Sequence, residues 1–189
     1  DAAFKGVQQC LRPFLKGYPD DGGCEEGVSY WDCAGASFFE SLYFMQFAPK
    51  QAVLTLNEAQ KKKVENMGRF ITTMYINDLT FVNFSDAQAK NIPNINILFP
   101  YGAYLQNEQM MQLAAYVGNK YQYTLKPTTL FLKSGNYPKL GRELMLLSML
   151  AKYQETAAVE PKTEDAYLEN SQIMVASNKN WFVAAKGGN

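Results

Sequence analysis

Apolar residues recur at helical spacing through the first four-fifths of the chain and shift to short, strand-like runs only at its carboxyl end. Over residues 3–16, Phe4, Val7, Leu11, Phe14 and Leu15 fall on one side of a helix, with Pro13 marking a kink or a late boundary. Residues 29–47 predict a second helix carrying Trp31, Gly35, Phe38, Leu42 and Met45, in which Gly35 and Ala36 are small enough for close helix contact. Asn57-Glu58-Ala59-Gln60 supplies an N-cap with a glutamine placed to close a capping box. Val64, Met67, Ile71 and Met74 follow in register to about Ile76, which leaves Lys61, Lys62 and Lys63 as the solvated face. Asn107 opens a further helix with Met110, Ala114 and Val117. Residues 139–154 form the clearest amphipath, with Leu140, Leu144, Leu147 and Leu150 in register. Between these helices, residues 78–100 and 121–138 are punctuated by Asn and Pro and predict irregular connections at the rim of a cleft.

The carboxyl end changes period. Residues 173–176 and 181–185 are short apolar strands separated by Ser177-Asn178-Lys179-Asn180, a hairpin turn. Two strands alone are marginal in water, and an open edge needs a partner. The expected organisation is therefore a helical region over 1–168 and the start of a truncated β domain over 169–189, with room for self-association through the unpaired edge.

Composition narrows the function classes. The 189 residues are 47% hydrophobic and 14% aromatic, enough for a sizeable core. Lys+Arg and Asp+Glu balance at 18 each, which speaks against a nucleic-acid partner or an electrostatic membrane anchor. There is neither an apolar run near membrane length nor a signal peptide, as expected of a mature or trimmed chain. Cys10, Cys24 and Cys33 lack the pairwise spacing of a zinc site and read as buried free thiols, with a Cys24–Cys33 bridge left open. Histidine is absent, so a histidine-metal site within the chain is excluded and proton transfer falls to carboxylates, lysines, tyrosines or cysteines. No cofactor is expected within these residues.

One segment concentrates candidate chemistry. Pro19-Asp20-Asp21-Gly22-Gly23-Cys24-Glu25-Glu26-Gly27-Val28-Ser29-Tyr30-Trp31 places four carboxylates and two aromatic rings in thirteen residues, jointed by glycines that permit φ > 0 or close approach to a ligand. Asp20, Asp21 and Glu25 read as solvated turn formers. Trp31 reads either as core or as a ring for stacking on a ligand. Glu26 reads as a carboxylate stabilising a helix amino terminus. Asn83 and Asp86, in Phe81-Val82-Asn83-Phe84-Ser85-Asp86-Ala87, are candidates for the rim.

Asp21-Gly22-Gly23-Cys24-Glu25-Glu26-Gly27-Val28-Ser29-Tyr30-Trp31 resembles the loop that holds the catalytic tyrosine in heparinase II/III-like polysaccharide lyases. The likeness extends over most of the chain. Leu11-Arg12-Pro13-Phe14-Leu15 resembles the family's preceding helix, and Ala34-Gly35-Ala36-Ser37-Phe38-Phe39 its following one. The 81–87 segment is similar to Phe-Val-Asn-Phe-Ala-Asp-Ala, and Val183-Ala184-Ala185-Lys186-Gly187-Gly188-Asn189 to the strand that runs into a histidine-rich segment. The resemblance implies a mainly α fold, an incomplete α/α toroid followed by the first hairpin of a β domain. It also implies a central fragment that is inactive by itself, from a secreted or periplasmic enzyme.

The activity implied for the intact protein is β-elimination on a uronic-acid-containing polysaccharide, with Tyr30 as base or acid. Glu26, Trp31, Asn83 and Asp86 are the implied substrate-binding residues. A second catalytic histidine, and zinc or another metal in some members, are implied for the β domain beyond residue 189. Two other classes remain: an α/α-toroid glycoside hydrolase with Asp21 and Glu26 as its carboxylate pair, and a non-catalytic carbohydrate-binding or scaffold protein.

Overall fold

In a computed structural model of the chain, which describes residues 2–48, 54–121 and 140–188, about half of the chain is helical and a small three-stranded antiparallel sheet lies near its carboxyl end. It divides into two compact units: Asp1–Asn91 with Thr163–Asn189, and Ile92–Lys162.

The first unit opens with α1 (Ala2–Gly17), which runs through Pro13. The single helix expected over 29–47 is instead two, α2 (Val28–Trp31) and α3 (Gly35–Met45). The break has a local cause. Trp31 is drawn into the core, where its Nε1 donates to the carbonyl of Met67 at 2.7 Å. Ala34 then leaves helical geometry, at φ −100° and ψ −95°, and Ser37 Oγ donates to the carbonyl of Asp32 across the gap. Phe38 and Phe39 on α3 are buried, and Phe38 stacks on Phe14 of α1 with ring centroids 5.6 Å apart.

α4 (Glu58–Thr73) carries the expected capping box: Asn57 Oδ1 accepts from the Gln60 amide, and Gln60 Oε1 accepts from the Asn57 amide. Lys61 and Lys62 lie on the wet face, paired with Glu58 and Glu65. Lys63 does not. It is buried, and its ammonium donates to the carbonyls of Leu15 and Tyr18 at 3.0 and 2.7 Å. A cation is favoured there because the last carbonyls of α1 are otherwise unsatisfied and carry the negative end of its dipole.

The segment beginning at residue 78, expected to be irregular, starts within a hairpin, β1 (Tyr75–Asn77) and β2 (Thr80–Phe81). Its two-residue turn, Asp78-Leu79, has φ of 43° and 57°. Positive φ at both positions suits the twist of a tight hairpin but is unusual for leucine. Leu79 is held there because its side chain is buried, its amide donates to Tyr75 Oη and its carbonyl accepts from the Asn91 amide.

At the carboxyl end, β3 (Ala166–Leu168), β4 (Ile173–Ser177) and β5 (Phe182–Lys186) form an antiparallel sheet in that order. The expected hairpin is its second pair, and the added strand begins before residue 169. Ile173 and Val175 turn inward, while Met174 on the opposite face is exposed. Tyr167 is exposed on β3 and pairs with Met174. This period-2 alternation is that of a half-buried sheet.

The second unit contains α5 (Ile95–Leu105), α6 (Glu108–Lys120), α7 (Leu140–Ser148) and α8 (Leu150–Glu155). Asn107 caps α6 as expected, accepting from the Met110 amide, after Gln106 turns the chain at φ 53°. α5 lies where an irregular connection is expected. It is buried from Ile95 to Gly102, so it shows no polar face and hence no helical period. The amphipath expected over 139–154 breaks at Met149, and its inward face differs from the leucine stripe: Leu140, Leu144 and Leu147 are exposed, while Arg142, Met145 and Leu146 are buried. α7 packs against α5, and of its two apolar rows that contact selects the one the leucine spacing does not mark. The other connection expected to be irregular, 121–138, lies outside the described residues except for Tyr121.

Candidate functional site

The acidic loop is fixed on one face of α4 by residues at helical spacing. Gly22 has φ 78°, and a Cβ there would fall 2.2 Å from the backbone carbon of Asn66. Only glycine allows the loop to lie so close. Asn66 Nδ2 donates to the Asp20 carbonyl at 2.9 Å, and Lys63 Nζ pairs with Asp20 Oδ1 at 2.7 Å. One turn along, the Met67 carbonyl receives the Trp31 indole. Both ends of the loop are thereby tied to the same helix.

Asp21 forms a turn as expected, but its carboxylate is bound within the fold rather than solvated. Its Oδ1 accepts from the Gly23 amide at 2.9 Å and from Ser171 Oγ at 2.8 Å, and its Oδ2 accepts from the Ser171 amide at 2.7 Å. The carboxylate thus clasps the loop before β4 to the acidic loop. Asp20, although exposed, is neutralised by Lys63. Glu25 and Glu26 are exposed.

Two neighbouring residues in α2 divide their roles. Trp31 is 1% exposed, so the ring considered for sugar stacking is a core residue and presents no face to a ligand. Tyr30, the residue before that anchor in α2, is 39% exposed. Gly27, which precedes α2, has φ 87°, and a Cβ there would fall 2.4 Å from Ala87 Cβ and 2.9 Å from the Phe84 carbonyl oxygen. Ser29 Oγ accepts from the Gln88 amide at 2.9 Å. These contacts bring the 81–88 segment against the residues that carry Tyr30. Asn83 and Asp86, both exposed, belong to that segment.

The end of β5 reaches the same place. Lys186 Nζ lies 5.8 Å from the centroid of the Phe84 ring. Lys186 and Ser29 were not candidates in the sequence, although Lys186 stands within the 183–189 segment; what marks them is a contact across the chain, which spacing does not show.

The cysteines are free: Cys24 is buried, as expected, but Cys10 and Cys33 are exposed, and Cys24 and Cys33 are not bridged. Burial pushes the Cys24 thiol above its ordinary value of 9.0, against the pull of a hydrogen bond with Tyr18. A protonated, enclosed thiol is a poor nucleophile. Among the described residues, no group of three or more Cys, Asp or Glu is placed to hold a metal ion, and no helix is long and apolar enough to cross a membrane.

Chemically, the arrangement offers a half-exposed phenol on a rigid base, exposed carboxylates at Glu26 and Asp86, an exposed amide at Asn83 and an ammonium at Lys186. Comparison with protein-family models and with curated proteins yields no match for this chain.

Proposed function

We propose that the chain is part of a heparinase II/III-like polysaccharide lyase, that its helices are a section of an α/α toroid, and that it acts on uronic-acid-containing polysaccharide by β-elimination with Tyr30 handling a proton. The observation that carries this reading is a convergence. Three segments in which the family resemblance resides, 21–31, 81–87 and 183–189, are far apart in sequence yet come together in the residues just before Tyr30 and around Phe84, through Gly27 on Phe84 and Ala87, Ser29 on Gln88, and Lys186 on Phe84.

The reaction removes the C5 proton beside a carboxylate and expels the oxygen at C4 of the same sugar. It needs a group to stabilise the charge that builds on the uronate, a base and an acid. A phenol can serve as base and acid when its surroundings favour the phenolate. Tyr30 has the exposure to reach a polymer, and the buried Trp31 next to it keeps its backbone in place. Glu26, Asn83 and Asp86 are the rim residues in this reading, and the protein would work outside the cell or in a periplasm. The hydrolase alternative is weakened because Asp21, one of its two carboxylates, already accepts three hydrogen bonds from within the fold.

The test is Tyr30→Phe in a preparation that turns over polyuronate, followed by the ultraviolet absorbance of the unsaturated product. Losing a positioned acid or base should lower kcat by at least ~10²-fold without loss of stability. Trp31→Phe is the control: it should destabilise the fold by about 1–3 kcal/mol and leave turnover per folded molecule unchanged. An undiminished kcat in Tyr30→Phe would remove the residue from the mechanism, and saturated products would remove the lyase assignment.

A further inference from the structure

A polymer of uronates is an anion, yet the exposed charged residues of the acidic loop and of the 81–88 segment are acidic. Asp20 is matched by Lys63, whereas Glu25, Glu26 and Asp86 face solvent and would repel an anionic polymer. The nearby lysines of α4 and the hairpin are committed: Lys61 to Glu58, Lys62 to Glu65, Lys63 to Asp20, and Lys90 to Asp78.

Lys186 differs from these. Its ammonium donates to the Gly187 carbonyl at 3.2 Å and lies over the Phe84 ring, and among the described residues no carboxylate is within ion-pairing distance of it. An ammonium has three donors, so this leaves capacity for an incoming anion. Its backbone is fixed: Lys186 pairs with Ile173 across the sheet, and the next amide, Gly187, donates to the Gln172 carbonyl at 2.7 Å. The aromatic face both holds the cation and keeps water from one side of it, which strengthens its attraction for an anion. Phe84, in turn, has its carbonyl against Gly27, three residues before Tyr30.

We propose that Lys186 is an anion-recognition residue of this site, receiving a carboxylate of the uronate polymer and selecting acidic over neutral polysaccharide. The proposal rests on the lyase reading of Tyr30, and its test separates the two. Oligosaccharides of galacturonate, mannuronate and glucuronate, and the carboxyl-reduced neutral form of each, are titrated calorimetrically into the wild type and into Lys186→Met and Lys186→Arg.

The wild type should prefer at least one acidic oligosaccharide to its neutral form. Lys186→Met, which keeps the apolar stem against Phe84, should lose about tenfold in affinity for that ligand with the neutral form unaffected. Lys186→Arg should retain most of the preference. If Lys186→Met keeps the full preference at unchanged thermal stability, the assignment of Lys186 is overturned while the lyase reading stands on the Tyr30 products. A wild type without preference for any acidic form overturns both.

Discussion

The clasp between Asp21 and Ser171 can be tested by removing its parts in turn. Ser171 is 3% exposed, and its amide and hydroxyl both donate to a carboxylate that also accepts from Gly23. Asp21→Asn preserves shape but replaces one acceptor oxygen with an NH2 group. In either orientation of the amide, a backbone N–H, that of Ser171 or that of Gly23, loses its acceptor. One orphaned donor in a buried setting costs about 1–3 kcal/mol. Asp21→Ala removes all three bonds and should cost on the order of 3–5 kcal/mol, since bonds to a charged acceptor are worth more than neutral ones but do not add in full. Ser171→Ala loses only the hydroxyl bond and should cost about 1–2 kcal/mol. In urea unfolding followed by tryptophan fluorescence, the double variant should be less destabilised than the sum of its singles by about 1 kcal/mol. Hydrogen exchange at Ile173 and Val175 should accelerate in step. An Asp21→Asn protein within about 0.5 kcal/mol of the wild type would mean that the carboxylate is solvated after all and that the clasp contributes nothing.

Gly27→Ala should cost about 3 kcal/mol or more, because it combines a positive φ of 87° with a Cβ 2.4 Å from that of Ala87. Ala87→Gly in the same chain should restore part of that loss but not the backbone strain, and a single variant as stable as the wild type in thermal unfolding would refute the close approach. Burial holds the Tyr101 phenol well above its ordinary 10.0. Below that pH both folded and unfolded chains are protonated and the stability is fully present; above it the unfolded chain ionises first, so stability falls as pH rises. Tyr101→Phe should flatten the alkaline limb of a plot of unfolding free energy against pH, and an unchanged limb would show that other groups govern it.

What the sequence reveals of this fold divides by the range of the interaction. The N-caps at Asn57 and Asn107 are legible because donor and acceptor lie within three residues of one another. The inward row of α7 is not, since Leu144 and Leu146 are equally apolar and only α5 decides between them. α5 itself is hidden by its own burial, because an element enclosed on every side has no polar positions to mark its period. Lys63 shares a charge and a helix with Lys61 and Lys62, and nothing local says that the carbonyls of Leu15 and Tyr18 await it. In the candidate site, the exposed Tyr30 beside the buried Trp31 follows from a motif and a helical phase. The contacts of Asp21 with Ser171 and of Lys186 with Phe84 join residues about a hundred or more positions apart and are beyond any reading of spacing.

The distance spanned by that clasp bears on how the molecule is made. Asp21 and Ser171 are 150 residues apart, and closing a loop of that length costs about 4 kcal/mol in chain entropy before any contact returns it. The intervening unit, Ile92–Lys162, is continuous in sequence and rich in local helical contacts, so it can fold as soon as it leaves the ribosome. The unit bearing Tyr30 is discontinuous and must wait. Until β4 and β5 have been synthesised, the acidic loop lacks Ser171 and Phe84 lacks Lys186, so the site forms only after the intervening unit has been made. Synthesis that stalls before residue 171 would leave a nascent chain with folded helices and an unfinished site, the kind of intermediate that chaperones hold.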